Sequence, residues 1–385
     1  MAPRTIHRVL MTTDTMGGVW TYALELSEAL GAYGVQVMLA SMGEPLDKCQ
    51  WDAVRKIPNL EIFESGFKLE WMQDPWADVD LAGDWLLELE ALTAPDIVHL
   101  NGYSHAVLPW QSPKLVVGHS SVYAWFEAVK GSEPPAAWKT YHSRISAGLS
   151  AADLVTAPTF TELASLRRHY GSFRTAGPIY NGRKSSLFPP RPKESFILTV
   201  GRLWDEAKNI PALEAIAADL PWPVYGAGEN CHPEGGRRRP RGIHYLGKLT
   251  PAEVAHWFSR AAVYVLPARY EPFGLSALEA GLAGCALVLS GIPSLREIWG
   301  DAATYVAPGC PEALRKAVEE LIYDHERRSL MAERAKDRAL RFTPPRMAES
   351  YLKTYALMQH RKTATKEWGK RLLARNRPSF SGSFI

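Results

Sequence analysis

The period of the apolar positions changes along the chain, and those changes predict its layout. His7 to Thr12 reads as a strand, Asp14-Thr-Met-Gly17-Gly18 as a turn, and Val19 to Tyr33 as a helix. In that helix Val19, Tyr22, Ala23, Leu26, Ala29, Leu30 and Tyr33 recur at three- and four-residue spacing, which gives one apolar stripe. Gly34 ends the helix and Val35 to Ser41 reads as the next strand. A strand–helix–strand opening predicts a parallel sheet with helices on both faces. Short apolar runs at Asp96–Leu100, Lys114–Val117 and Asp153–Ala157 suit strands buried on both faces.

From Ala176 to Ser195 the chain turns to Gly, Pro, Asn and basic residues, which marks a linker. A second α/β pattern then begins at Phe196–Val200. It continues through Trp222–Tyr225, Ile243–Leu246, Ala262–Leu266 and Ala286–Leu289, with helices from Pro311 and Pro345. The expected architecture is α/β, with two Rossmann-like domains whose parallel sheets face each other across a cleft. The boundaries fall at 1–178, a linker at 179–195, a second domain at 196–345, and at 346–385 a helix crossing back to the first domain with a basic tail. Ligands of such sheets bind at the carboxyl ends of the strands, so the cleft is the expected site.

Composition narrows the function. The 385 residues suit two domains, and 46% hydrophobic with 22% charged residues is the balance of a folded protein. A net charge of +3 gives no electrostatic case for nucleic acid. Cys49, Cys231, Cys285 and Cys310 are scattered with no C-x-x-C pair, which excludes a zinc or dithiol motif and suits a reducing cytoplasm. The N-terminal apolar stretch is too short for a secretion signal, and no run of about 20 apolar residues is long enough to span a bilayer. Thirteen Trp offer flat faces for sugar rings, but Trp serves equally well in a core.

The most informative stretch is Glu271-Pro-Phe-Gly-Leu-Ser-Ala-Leu-Glu279, which follows a buried strand and opens a helix. Its Gly-Leu-Ser turn and helix start can present backbone N–H groups to a phosphate. Ser276-x-x-Glu279 also reads as a capping box, and the spacing leaves both readings open.

Placed after Val265-Leu-Pro267, this stretch resembles the signature of glycosyltransferase family 4, retaining enzymes of the two-Rossmann-domain (GT-B) architecture. Other motifs in the same order extend the resemblance over most of the chain. They are Gly17-Gly18-Val-x-x-Tyr22, Asp96-x-Val-His99, Val200-Gly-Arg202-Leu, Tyr225-Gly-Ala-Gly228, Tyr245-Leu-Gly247, and Ser294-x-x-Glu297 before Gly300. The resemblance implies a nucleotide diphosphate sugar as donor substrate, no metal and no other cofactor. Arg202 and Lys208 would neutralise the diphosphate, with Lys208 one residue further along than the commoner family spacing. Glu271 would lie beside the donor sugar and Glu279 would hold the ribose. Phe273, Gly274, Leu275 and Ser276 would line the nucleotide sugar, and the backbone of Leu249 would meet the base. Gly17 and Gly18 would let a helix start approach the diphosphate. His119 would point at the donor sugar, although a histidine at a strand end also serves as a purely structural group; His99 and His105 are weaker candidates.

Asp78-Val-Asp80 matches the DXD metal pattern of other glycosyltransferases, but it lies in a Trp-rich stretch read as irregular, and no metal is assigned to it. The acceptor, a glycan, lipid-linked sugar or small molecule, is expected on the first domain around Asp74–Trp76, His99–Tyr103 and Ser120–Trp125. The segment 361–385 carries seven Lys or Arg and one acid. It reads either as a peripheral contact with an anionic membrane at the inner face or, preferably, as the crossing helix and a solvated end. The Arg237–Arg241 run reads as a solvated loop. An inactive GT-B subunit and a sugar-nucleotide epimerase are the competing functions. The donor base and sugar, the acceptor and the oligomeric state are not written in the sequence.

Overall fold

The fold is seen in a computed structural model that describes residues 5–189, 191–231, 235–236 and 240–375, with side chains as far as 360. Two six-stranded parallel sheets organise it. The first contains β1 (Arg8–Asp14), β2 (Gln36–Met42), β3 (Leu60–Glu64), β4 (Ile97–Leu100), β5 (Lys114–Val117) and β6 (Leu154–Thr156), in the order β3-β2-β1-β4-β5-β6. The second contains β7 (Glu194–Val200), β8 (Val224–Ala227), β9 (His244–Gly247), β10 (Ala261–Leu266), β11 (Ala286–Ser290) and β12 (Thr304–Val306), in the order β12-β11-β10-β7-β8-β9. Read from the other edge, the second sheet has the order of the first. This is the doubly wound arrangement, and its strand order reverses between β1 and β4 and between β7 and β10.

The strands are Val-, Leu- and Ile-rich without alternation because helices cover both faces. Val9, Leu10, Met11, Val263, Val265, Leu287 and Leu289 are all fully buried. Each sheet has an apolar core on either side, one pair built on β1–β6 and one on β7–β12. The last helix, Pro344–Arg375, starts beside the second domain and sinks Met347, Ala348, Tyr351, Tyr355 and Met358 into a core of the first. It is the crossing helix of the sequence reading, begun two residues earlier.

Two sequence readings change. Asp78 and Asp80 lie on a regular 18-residue helix, Trp76–Thr93. Its stripe of Val79, Ala82, Gly83, Leu86, Leu89, Glu90 and Thr93 has helical period, but two of its members are polar and one is glycine. The Asp78 carboxylate accepts from the Lys68 N–H (2.9 Å), and Asp80 pairs with Arg144 (2.5 Å). The Ser276 capping box does not form. Gly274, in the left-handed region (φ 88°), caps the helix Leu275–Leu282, and Ser276 Oγ is bonded instead to the Tyr264 hydroxyl (2.8 Å). The chain beyond residue 375 and residues 237–239 lie outside the described residues, and with them most of the basic tail's end and of the arginine loop.

Candidate functional site

The carboxyl ends of the strands at both switch points face each other. After β1 the chain turns through Gly17 (φ 73°) into the helix Gly18–Gly31. A Cβ on Gly18 would lie 3.4 Å from Leu275 Cδ1, at the start of the opposing helix Leu275–Leu282. The side chain that opens the helix Leu275–Leu282 therefore reaches the start of the helix Gly18–Gly31 across the domain boundary, and the N-terminus of each, with its partial positive charge, borders the gap.

The C-terminal wall of this gap carries the ions. β7 ends at Val200, and Arg202 follows. Its guanidinium donates to Asp205 Oδ2 (2.9 Å) and lies over the Trp204 ring (5.4 Å), with its side chain 41% exposed. Asp205 caps the short 3₁₀ turn Glu206–Lys208 by accepting from the Ala207 N–H. The lysine stem then runs over Gly201, and Nζ reaches Glu271 Oε2 at 2.5 Å. The second oxygen, Glu271 Oε1, accepts from the Gly274 N–H (3.0 Å), which fixes the carboxylate at the mouth of the helix start. Leu249 is half-buried in the loop after β9. The Phe273 ring is buried against Phe342, so this residue can offer the cleft only its backbone.

The N-terminal wall is polar, and burial there works against charge. Asn101, one residue past β4, donates from Nδ2 to Thr12 O (2.7 Å), so its Oδ1 faces the histidines. His119 Nε2 lies 2.9 Å from that oxygen and must carry the proton. Burial pushes the His119 imidazole down to about 3, so it is neutral at physiological pH. Its ring meets Tyr22 edge-on at 4.6 Å. Asp14, at the end of β1, accepts from the Met16 N–H (3.0 Å). Burial raises its carboxyl to about 7, against the opposing pull of that hydrogen bond and of Arg202. His99 and His105 are not brought to the gap. His99 is fully buried between Tyr22, Asn101 and Tyr355, and His105 is held by Val79 O (2.9 Å).

Contacts across the boundary fix the two walls together. Tyr270, next to Glu271, accepts from the Ser121 N–H (3.2 Å) and donates to the Glu162 carboxyl (3.1 Å). Thr159 Oγ1 donates to Pro272 O (3.0 Å), and Trp125 Nε1 to Asp205 Oδ1 (3.2 Å). Glu297 caps the helix Phe160–Tyr170 from the other domain, accepting from the Phe160 and Thr161 N–H groups at 2.7 and 3.0 Å.

This geometry has relatives. The profile described as Glycosyltransferase Family 4 matches residues 16–184, and that of Glycosyl transferases group 1 matches residues 236–338. The first half of the chain thus carries a glycosyltransferase family 4 domain and the second a glycosyl transferases group 1 domain.

The chain is 32% identical over 163 residues to a glycogen synthase of Mycobacterium tuberculosis, covering 38% of this chain and 39% of that one. It is 28% identical over 116 residues to the O-antigen chain mannosyltransferase B of Escherichia coli, covering 30% of each. The matched segments thus span well under half of these curated relatives. Among solved structures, a sucrose-phosphate synthase from Thermosynechococcus elongatus superposes with a TM-score of 0.73 at 19% identity, over 96% of this chain and all of that one. Anabaena HepE, solved with UDP-glucose, superposes with a TM-score of 0.69 at 16% identity, over 90% of this chain and 98% of that one. These likenesses establish the GT-B fold. Asp14, Tyr270 and Glu162 are not among the residues to which the sequence motifs point, and Asn101 falls there only within the expected acceptor segment His99–Tyr103. Asp14 had been read only as part of a turn, although its place at the carboxyl end of β1 is a signal.

Proposed function

We propose that the protein transfers a sugar from a nucleoside diphosphate donor to an acceptor hydroxyl, with retention of configuration and without a divalent cation. The observation that carries this reading is the Lys208–Glu271 pair, 2.5 Å apart, beside Arg202 and opposite the Gly17–Gly18 helix start. Lys208, Arg202 and two helix N-termini supply the positive charge that a diphosphate needs, both when bound and when it departs.

In the proposed reaction the bond from the anomeric carbon to the diphosphate oxygen breaks and its electron pair stays with the phosphate. The acceptor oxygen bonds to the anomeric carbon on the same face, and its proton passes to the departing phosphate oxygen. Glu271, anchored by Lys208 and Gly274, steadies positive charge at the sugar or binds a ring hydroxyl. Neutral His119 offers the sugar a hydrogen-bonding group without adding charge. Leu275 and Ser276 bring backbone groups to the phosphates while the Gly274 N–H holds Glu271, Glu279 holds the ribose, and Leu249 meets the base. The acceptor enters from the first domain, between Asn101–Tyr103 and Ser120–Trp125.

UDP and UDP-glucose are the first probes, because the similar Anabaena protein was solved with both. Thermal stabilisation by a panel of nucleoside diphosphates identifies the base, and proton NMR of the product gives the anomeric outcome. Inverted product, or activity abolished by chelator and restored by magnesium or manganese, would overturn the corresponding part of the reading. The absence of any nucleoside diphosphate binding would overturn all of it. Among the described residues no helix is long and apolar enough to cross a membrane, so vesicle co-sedimentation tests the contact proposed for the basic tail.

A further inference from the structure

Glu279 is not a free carboxylate at the nucleotide end of the site. Arg183 Nε lies 2.8 Å from Glu279 Oε1, and Arg183 Nη1 lies 2.5 Å from Glu25 Oε1. The three side chains are 13% exposed or less. The Nε contact is a close ion pair and not a straight hydrogen bond, whereas the Nη1 contact is both. One guanidinium on the interdomain linker therefore joins Glu25, on the first helix of the N-terminal domain, to Glu279, on the helix Leu275–Leu282 of the C-terminal domain.

The backbone under this guanidinium is pinned. A Cβ on Gly182 would meet Thr343 C at 2.4 Å and Thr343 O at 2.5 Å, so only glycine fits where the linker passes the start of the crossing helix. The next N–H, of Arg183, donates to Phe342 O (3.1 Å). The side chain thus leaves from a fixed point, with little freedom to follow Glu279 if that residue moved. Burial alone would favour a neutral Glu279, and it raises that carboxyl; Arg183 is the group that opposes the rise. Glu25 behaves in the same way, with Lys184 adding to Arg183. Glu279 Oε2 takes no hydrogen bond from any described residue.

We propose that Arg183 is a positioning residue for the donor's ribose: it locks Glu279 in one orientation as an anion, so that the remaining oxygen can accept hydrogen bonds from the vicinal ribose hydroxyls. This rests on the nucleoside diphosphate reading above and adds to it a residue outside the Glu271–Glu279 motif. A carboxylate that is ionised accepts stronger hydrogen bonds than a neutral carboxyl group, and one held in place loses less entropy on binding.

The test is the preference for ribose over a sugar that lacks the diol. The affinities of UDP and 2′,3′-dideoxy-UDP, or of the corresponding pair for whichever base binds the wild type best, are measured by calorimetry. The wild type should prefer the ribonucleotide by about tenfold or more, the scale of hydrogen bonds to a charged group. In Arg183→Gln, which keeps the shape and a donor, and in Arg183→Ala, that preference should fall to about threefold or less, with dideoxy affinity nearly unchanged. Should the alanine variant fail to fold, the glutamine variant decides. A retained preference, or equal losses for both nucleotides as a general structural role would give, overturns the proposal. So does a wild type that binds both equally well. A wild type that binds neither overturns the donor reading itself.

Discussion

The two walls of the cleft handle charge in opposite ways. On the C-terminal wall Arg202, Lys208, Glu271 and Glu279 each have an ionic partner, and charge is kept at the site by pairing. On the N-terminal wall burial moves Asp14 up to about 7 and His119 down to about 3, so desolvation works against charge there, wholly for His119 and in part for Asp14. Both walls are polar, yet only one can neutralise a departing diphosphate. In the proposed reaction the N-terminal wall suits the other half, where a sugar and an acceptor hydroxyl need orientation and a second cation would only compete with Arg202 and Lys208 for the phosphates. The division teaches that the catalytic work of each wall should be separable by mutation.

The largest expected effect is on the ionic wall. Lys208→Ala should lower kcat/KM for transfer by about 2–4 kcal/mol of transition-state binding, the scale for losing a preorganised charge partner. Arg202→Ala should cost less, because its side chain is 41% exposed and solvent can partly replace it. Steady-state kinetics with the identified donor checks both, and near-normal turnover of Lys208→Ala would erase the distinction between the walls. The N-terminal wall should respond more weakly and in a different quantity. His119→Ala should lower kcat by up to about tenfold, the worth of one neutral hydrogen bond, while nucleoside diphosphate affinity stays within about threefold of the wild type. A large loss of nucleotide affinity in that variant would mean that the histidine serves the phosphates after all.

The same division explains what could be read from the sequence. The ionic wall lies in two short segments, Gly201–Lys208 and Glu271–Glu279, so residue spacing exposes it, as it exposes the alternating strands and helices around it. The N-terminal wall is assembled from Asp14, Asn101 and His119, which come from the ends of three different strands and meet only when the sheet forms. Glu279 was legible as a motif member, but its partner Arg183 sits in a stretch that reads as linker. Helix Trp76–Thr93 was lost because its buried stripe includes Gly83, Glu90 and Thr93, residues that a hydrophobic period does not register.

The walls are joined by Tyr270, and a smaller effect is expected there. Tyr270→Phe removes one hydroxyl that serves both the Ser121 N–H and the Glu162 carboxyl. Leaving those two buried groups unpartnered should cost about 1–3 kcal/mol of stability, read by urea denaturation. Because residue 270 adjoins Glu271, KM for the donor should rise as well. A variant as stable as the wild type would show that the interdomain bond adds nothing.

The smallest effect concerns Glu162 itself and depends on pH. Its carboxyl is buried beneath Tyr103 and Tyr270, and burial raises it from 4.5 to about 8 although the Tyr270 hydrogen bond and Arg168 oppose the shift. Between those two values the folded protein keeps a proton that the unfolded chain has released. Stability contributed by this group is therefore complete below about pH 4.5 and drains away as pH rises towards 8. Glu162→Gln cannot titrate but keeps a partner for the Tyr270 hydroxyl, so it lacks that slope. The unfolding free energy of the wild type relative to Glu162→Gln, read by urea denaturation at each pH, should fall from pH 5 to pH 9. Parallel curves would mean that Glu162 ionises freely, and then the desolvation that works against charge on the N-terminal wall would stop at the cleft and not reach the interface behind it.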